Sequence, residues 1–322
     1  MSLDLLLENI TNPALLFFVL GILAVWLKSD LYIPDNSSKF IAIYLLFAIG
    51  FKGGRELSHS TFDLEILNTF AYAIASALLI PIYIFFILRK KYGSSNAAAI
   101  ASAYGSVSAV TFVTTLSYLE AHNEEYGGHM VAVLALMEAP AIVAGVFLLN
   151  RFGSGKDVKN MAVSKVLKHA LTNGSVLLII GSLIIGFLAN DMQAKEIKPF
   201  TTDIFKGFLA IFLLDMGITS GRKLNDFFKK GWITALLAIV FPLINGLFTA
   251  WISGYFISQT GNRLLLTVLV ASASYIAVPA AMKIAAPKAN PGIYLPMALA
   301  ITFPFNITLG LPLYYQIILA TG

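Results

Sequence analysis

Two short polar segments lie inside apolar stretches of the chain and carry the residue types best suited to binding ions. The first reads AYGSVSA at 103–109, and the second reads ASASYIAVP at 271–279. Glycine, serine and a nearby proline at corresponding depths in two halves of a membrane protein are typical of discontinuous helices. We therefore predict that a helix is interrupted in each of these two segments.

A broken helix leaves unpaired N–H groups at one new end and unpaired C=O groups at the other. Such groups are tolerated in lipid only where they line a cavity or find partners. The N–H end suits an anion, and the C=O end, with hydroxyl oxygens beside it, suits sodium. The predicted ligands are Gly105, Ser106, Ser108, Thr111, Ser272 and Ser274. The alternative is that these small residues only allow whole helices to pack closely.

Glu138 is the clearest ionisable residue inside an apolar stretch, in the sequence LALMEAPAIV at 134–143. Because charge is costly there, we predict that this carboxylate neutralises a bound sodium ion, with Ser108 and Ser274 as further sodium ligands. A proton carrier and a hydrogen-bonded packing carboxylate are the alternatives. Tyr275 directly follows Ser274, so its hydroxyl is placed to cap the anion site or simply to pack.

Four further polar residues in apolar stretches favour structural roles. We expect Asp215 to serve in packing or at the membrane interface, and Lys206 to reach the outer face. Asn245 and Asn306 are expected to form hydrogen bonds between helices.

No pattern indicates an enzyme. The GSGK sequence at 153–156 lacks the GxxxxGK[ST] spacing of a phosphate-binding loop, and no HExxH motif or Ser/His/Asp set is present. The chain has no cysteine, and its four histidines lack metal-ligand spacing. We therefore predict no enzymatic activity and no cofactor, with sodium only as a coupling ion. The net charge of +5 reports membrane orientation and not a nucleic-acid partner.

The composition places these segments in a lipid bilayer. Hydrophobic residues make up 58% of the chain and charged residues 12%, with a mean hydropathy of +0.80. Soluble domains carry about twice that charged fraction. A spanning helix needs about 20 mostly apolar residues. Ten stretches qualify: 12–27, 39–52, 66–88, 97–119, 128–150, 169–189, 199–219, 230–257, 263–286 and 290–319. Three prolines in the last stretch predict a kink or a break.

Basic residues predict the orientation in the membrane. With ten spans, sixteen lysines and arginines lie on the side opposite the termini and five on the terminal side. This bias predicts a cytoplasmic segment 151–168 and extracytoplasmic termini in a multi-pass protein of the inner (plasma) membrane. The acidic loop 120–129 then lies outside the cell.

The two halves of the chain resemble each other. IGFKGGREL at 49–57 and MGITSGRKL at 216–224 share the pattern G-x-x-x-G-R-x-L, with an offset of 167 residues. Residues 96–110 align on 262–276 without a gap at an offset of 166. This alignment places Ser106 on Ser272 and Ser108 on Ser274. Similar composition of apolar helices is the alternative explanation.

Five spans per copy is an odd number, so the second copy must enter the membrane from the opposite side. We therefore predict an all-α membrane protein with ten transmembrane helices, arranged as two inverted five-helix repeats with discontinuous helices 4 and 9. The first repeat comprises residues 1–150, the linker 151–168 and the second repeat 169–322.

Four stretches, 105–120, 136–145, 213–224 and 271–314, resemble the sodium-dependent bicarbonate permease family, the SbtA-like transporters. The A-N-P-x-x-Y sequence at 289–294 is the most specific part. The resemblance implies sodium-coupled bicarbonate uptake by a core (spans 3–5 and 8–10) moving against a gate (spans 1–2 and 6–7), in a homotrimer. The family positions carried over are Gly105, Ser106, Ser108, Thr111, Ser272 and Ser274, with Glu138 as the carboxylate before x-Pro.

The chain departs from the family pattern in two places. Better-known members have an aspartate after the second serine run, where this chain has Tyr275, which leaves the sodium stoichiometry and the anion open. The segment between the halves is short, so regulation by a PII-like protein does not follow. A symporter of another small or organic anion, with a wide apolar cavity, and a non-transporting membrane scaffold or sensor remain alternatives.

Overall fold

The computed structural model describes residues 11–60, 62–153, 168, 172–228 and 232–321, with the backbone alone at 225–228. This part of the chain is almost entirely helical, and no strand occurs in it, as the sequence predicts. Five of its helices are long and apolar enough to cross a membrane, and three shorter apolar helices accompany them.

The described part of the first half of the chain contains five helices. The third joins two predicted spans, because the backbone turns at Gly93, where φ is 76°, and continues as a second helical arm. A glycine accepts this positive φ without steric cost. The helices are α1 (Pro13–Trp26), α2 (Asp35–Ser58), α3 (Leu64–Gly105), α4 (Ala109–Ala121) and α5 (His129–Phe152).

The second half contains seven described helices, one of which the sequence analysis missed. The short α7 begins with a capping box between Asn190 and Gln193, and its acidic first turn and basic last turn complement the helix dipole. The helices are α6 (Gly174–Leu188), α7 (Asp191–Lys198), α8 (Phe205–Phe228), α9 (Trp232–Ile252), α10 (Thr260–Val270), α11 (Ala277–Ala285) and α12 (Pro291–Ala320).

Helix α12 stays helical over its whole length, so of the predicted kink or break, the break is wrong. Two π-helical segments, Met297–Thr302 and Asn306–Gly310, lie beside its prolines. A π-helical turn rearranges the backbone hydrogen bonds locally, which lets the helix continue past a residue without an N–H group.

The predicted linker 151–168 lies mostly outside the described residues, which include only 151–153 and 168 of it.

Glycines bring two pairs of helices into backbone contact. A Cβ atom at Gly54 of α2 would overlap the carbonyl oxygen of Leu183 in α6. A Cβ atom at Gly217 of α8 would overlap the carbonyl oxygen of Phe18 in α1. Close approach of this kind is the usual role of small residues between membrane helices. The glycines of the two repeated G-x-x-x-G-R segments therefore have the same role in both halves, which is close packing of two helices.

Helix α2 packs on α6, and helix α8 packs on α1. The arginine of each repeated segment contacts residues just beyond the end of that neighbouring helix. Arg55 donates to the carbonyl oxygen of Ala189 and pairs with Asp191, which joins the end of α6 to the start of α7. Arg222 lies with its guanidinium carbon 5.9 Å from the ring centre of Tyr32, beyond the end of α1. Each arginine therefore lies next to the same neighbouring helix that the glycine of its segment contacts.

The backbone contact of α8 with α1 makes a prediction for two glycines of one helix. Gly217→Ala should lower the free energy of unfolding by about 1–3 kcal/mol, because the new methyl group meets backbone that cannot move aside. Gly207→Ala is the matched control, since its new methyl group would have no described neighbour within 4 Å, and it should be neutral or stabilising by about 0.5–1 kcal/mol. Thermal unfolding of the purified variants in detergent measures both changes. Equal midpoints would contradict the assigned contact.

Candidate functional site

Both predicted helix interruptions are present in the structure. The first separates α3 from α4 at residues 106–108, and the second separates α10 from α11 at residues 271–276. The first break occurs without a proline, so glycine and serine are sufficient to end the helix there. All four serines of the two segments are buried, and each is at most 3% exposed.

Hydrogen bonds tie the two interruptions together. The N–H of Ser108 donates to the hydroxyl oxygen of Ser272 at 2.8 Å. The N–H of Ser274 donates to the carbonyl oxygen of Ala103 at 2.8 Å. The Ser272 hydroxyl in turn donates to the carbonyl oxygen of Leu269 at 2.8 Å. This hydroxyl is therefore committed to joining the two broken helices.

Ser108 caps the helix that follows the first interruption, and Ser274 accepts a hydrogen bond from the first turn of the helix that follows the second. The Ser108 hydroxyl oxygen accepts the N–H of Thr111 at 3.2 Å, in the first turn of α4. The Ser274 hydroxyl oxygen accepts the N–H of Val278 at 3.4 Å, in the first turn of α11. The repeat alignment pairs these two serines, and each accepts an N–H from the first turn of the following helix, Ser108 as the N-cap residue and Ser274 from two residues before the N-cap Ile276. A capping side chain satisfies one of the N–H groups that a helix start leaves without a partner.

A buried amide satisfies the carbonyl end of the second break. The side-chain nitrogen of Asn306 in α12 donates to the carbonyl oxygen of Ala271 at 2.9 Å. The Asn306 oxygen accepts the hydroxyl of Tyr314 at 3.4 Å. Asn245 likewise accepts the hydroxyl of Tyr83 at 2.8 Å, between α9 and α3. The predicted hydrogen bonds between helices are confirmed for both asparagines, and Asn306 also supports the break.

A small cavity lies where α4 and α11 begin. Its volume is about 40 Å³, whereas one water needs about 10–15 Å³ by the same measure. Apart from five polar residues, the wall is apolar, and it includes Phe212 of α8. The cavity therefore has room for a small polyatomic ion. Its polar lining residues are Ser108, Glu138, Ser175, Ser274 and Tyr275.

The cavity presents two kinds of charge to a bound ion. Ala109 and Val110 in the first turn of α4, and Ile276 just before α11, line its wall. A helix start carries partial positive charge, so these two N-termini attract an anion. Glu138 of α5 also lines the cavity and is 8% exposed. Its carboxylate attracts a cation to the same place.

Four predicted ligands are buried near the cavity but do not line it. A Cβ atom at Gly105 would overlap the ring of Pro81, so the close approach at this glycine is to the first arm of α3. The hydroxyls of Ser106 and Thr111 have no hydrogen-bond partner among the described residues. Ser272 instead forms hydrogen bonds at the crossing, the contact at which the two interruptions are tied together.

A larger vestibule adjoins the cavity on one side. Its volume is about 880 Å³, and it shares wall residues with the cavity, including Leu46 and Tyr275. It extends to Lys39 at the start of α2 and to Asn173 before α6. At its edge the Ser38 hydroxyl donates to the carboxylate of Asp215, which fits the packing role predicted for that aspartate.

The other end of α2 is closed against α4 and α5. Gly128 lies against the carbonyl oxygen of Gly53, where a Cβ atom on either residue would cause overlap. Beside this contact, the carboxylate of Glu120 pairs with Lys52 and Lys206, each at 3.2 Å. The sequence predicts that Lys206 reaches the outer face, and the structure gives it this ion pair. Among the described residues, the cavity shares lining residues with the vestibule and none with the space beside Glu120.

The comparisons with known proteins agree with this geometry. No curated protein matches the chain. The family model described as the Na⁺-dependent bicarbonate transporter superfamily matches residues 13–319, which include both helix interruptions and Glu138. This is a family of transporters and not of enzymes, and the resemblance noted in the sequence is confirmed. The chain, a multi-pass membrane protein, thus belongs to the Na⁺-dependent bicarbonate transporter superfamily.

Proposed function

We propose that the chain is a sodium-coupled bicarbonate symporter that works by alternating access. One observation carries the proposal: the starts of two helices and the carboxylate of Glu138 meet at a single small cavity. An anion and a cation therefore bind within reach of each other's charge. The family membership supports bicarbonate and sodium as the two ions.

The anion in this proposal is held by partial charges and hydroxyl groups. Bicarbonate is small and planar and carries one charge, so it suits a cavity of about 40 Å³ better than an organic anion does. No lysine or arginine is among the described residues that line this cavity. The starts of α4 and α11, with Ser274 and Tyr275, then supply the donors.

Sodium in this proposal binds at Glu138, with Ser108 and Ser274 as further ligands. An uncompensated carboxylate repels an anion placed beside it, and the repulsion is strong where water is excluded. Sodium at Glu138 removes that repulsion, so sodium raises the affinity for bicarbonate. The coupling is reciprocal, because each ion must raise the affinity for the other by the same factor.

The ten-helix inverted repeat remains part of the proposal, and the packing of the helices supports it. The G-x-x-x-G-R helix of each half packs on the first described helix of the other half, α2 on α6 and α8 on α1. Each of these first helices also contributes a glycine to the contact. Gly186 of α6 lies against the carbonyl oxygen of Phe51, and Gly21 of α1 lies against that of Leu214. Two copies related by a twofold axis would produce such an exchange.

The proposed moving parts follow from this arrangement. Spans 3–5 and 8–10, including both broken helices and Glu138, form the core, and spans 1–2 and 6–7 form the gate. From the bias in basic residues, we propose an inner (plasma) membrane location with cytoplasmic 151–168 and extracytoplasmic termini. A homotrimer follows from the family resemblance alone. A PII-like regulator remains an alternative, given the short linker.

Uptake of labelled bicarbonate into proteoliposomes tests the proposed function. An inward sodium gradient should drive uptake, and replacing sodium by potassium should abolish the stimulation. Uptake of an organic anion in place of bicarbonate would favour the alternative of an organic-anion symporter. A complete lack of uptake, in protein shown to be folded, would favour the scaffold or sensor.

Removing the charge of Glu138 should weaken sodium coupling. Glu138→Gln keeps the shape of the side chain, so sodium should lose only its ionised ligand. We expect the sodium concentration for half-maximal uptake to rise by about 10–100-fold, since a hydrogen bond or contact to a charged group contributes about 1.5–3 kcal/mol. Glu196→Gln, on the exposed face of α7, is the matched control. An unchanged sodium dependence in Glu138→Gln would make this carboxylate a packing residue.

The two serines of the second break should respond differently to the loss of their hydroxyls. Ser274→Ala should raise the KM for bicarbonate by about 3–10-fold, as expected for one lost hydrogen bond. Ser272→Ala leaves the N–H of Ser108 buried without a partner, which should lower the free energy of unfolding by about 1–3 kcal/mol. Uptake kinetics and thermal unfolding together separate the two effects. A raised KM with unchanged stability in Ser272→Ala would reverse the assignment.

A further inference from the structure

A carboxylate at the closed end of α2 lies between two lysines of other helices. One oxygen of Glu120 in α4 pairs with the Lys52 ammonium at 3.2 Å, and the other oxygen pairs with the Lys206 ammonium at 3.2 Å. Lys52 belongs to α2 and Lys206 to α8, so the two lysines come from the proposed gate and the carboxylate from the proposed core. The lysines are therefore arranged to hold the two oxygens of one planar anion.

Space for an ion lies beside this arrangement. A cavity of about 290 Å³ is lined by all three residues and by Thr201, Thr202 and Tyr126. It is distinct from the cavity at the helix breaks, because the two share no described lining residue, and Lys52 follows Leu46 of that cavity by six residues, about 9 Å along a helix. The Thr201 hydroxyl donates to the carbonyl oxygen of Ile197, so Thr202 and Tyr126 are the residues that provide further hydroxyl donors for an anion beside the two ammonium groups.

Bicarbonate and a carboxylate present the same edge to a cation. Each has a CO2⁻ group whose two oxygens share a single negative charge, and bicarbonate carries a hydroxyl group on the same carbon. A pair of ammonium groups that fits Glu120 therefore fits bicarbonate. When the proposed gate and core separate at this end, Glu120 moves away with α4, and the two lysines are left without their shared partner.

We propose that Lys52 and Lys206 form a second anion site, which takes bicarbonate or a similar small monoanion at the end of the molecule opposite the vestibule. Glu120 occupies this site in the conformation described here and is displaced when that end opens. The proposal rests on the proposed function for its substrate, and it adds a place where the anion binds before it reaches the helix breaks.

The charges around the site make it a weak one. Glu56 and Asp203 also line the cavity, and their carboxylates oppose the attraction of an anion to the lysines. The ion pairs themselves are partly exposed, with 34% of the Glu120 side chain and 66% of the Lys206 side chain accessible. Such pairs are weak and are screened by salt. A weak site suits an ion in transit, because it must also release the ion.

A single introduced thiol reports on this site. The chain has no cysteine, and Leu116 lines the cavity one turn before Glu120 with 5% exposure. In purified Leu116→Cys protein in detergent, a water-soluble thiol reagent should react slowly. Adding Glu120→Gln removes both ion pairs, so the reaction should become faster. Both faces are accessible in detergent, so the membrane orientation does not affect the result.

Bicarbonate should slow that reaction in the Leu116→Cys/Glu120→Gln protein, relative to chloride at equal sodium concentration and pH. Adding Lys52→Gln or Lys206→Gln removes one charge-assisted contact to the anion. The bicarbonate concentration that gives half-maximal protection should then rise by about tenfold. Lys206→Arg keeps the charge and should retain protection. Lys195→Gln, in exposed α7 and away from the cavity, is the control and should change nothing.

Protection that is absent, or that survives replacement of both lysines, would overturn the proposal. If the cysteine at 116 disturbs packing, Thr202→Cys provides an exposed reporter at the same cavity. The labelling readout does not depend on transport. Failure of the proposed function would instead appear as wild-type protein without sodium-dependent bicarbonate uptake, so the two failures are distinguishable.

Discussion

The satisfaction of backbone groups at the two broken helices is the constraint on which the rest of the structure depends. Lipid offers no hydrogen bonds, so every N–H and C=O group freed by a break needs a partner in the protein. Each break supplies partners to the other, through Ser108 with Ser272 and through Ser274 with Ala103. Asn306 satisfies the buried carbonyl of Ala271, at the end of α10. The breaks are thus stable only as a crossed pair, which explains why both halves of the chain carry one.

The groups that the crossing leaves unsatisfied define the chemistry of the cavity. Capping uses only part of the N–H groups at the starts of α4 and α11, and the remaining positive ends meet at one small space. A site with partial positive charges alone would bind any small anion without regard to sodium. Glu138 changes this, because its negative charge makes anion binding unfavourable until a cation neutralises it. In the proposed mechanism, ion coupling is a direct consequence of placing one carboxylate beside two helix starts.

The sequence was sufficient to locate the breaks, since glycine and serine within apolar spans conflict with a continuous packed helix. It could not distinguish the roles of Ser272 and Ser274, because an irregular segment has no fixed period that would predict which side each residue faces. It could not identify the neighbour of Gly105 or the partner of Lys206 either, because both contacts depend on how distant parts of the chain pack together. The sequence predicts a kink or a break in Pro291–Ala320, and the break is absent for a different reason. The rule for proline assumes α-helical hydrogen bonds, and π-helical segments rearrange them.

The two ends of α2 differ in what holds them, and the difference bears on the proposed alternating access. At the closed end, the contact of Gly53 with Gly128 is van der Waals contact without hydrogen bonds between the two residues. The ion pairs of Glu120 beside it are partly exposed, and such pairs contribute about 0–1 kcal/mol each. Alternating access requires two states of similar free energy, so neither end can be closed by strong interactions. The weak contacts at the closed end allow the proposed gate to open there. The backbone hydrogen bonds between the two helix breaks are stronger, so the site itself stays intact.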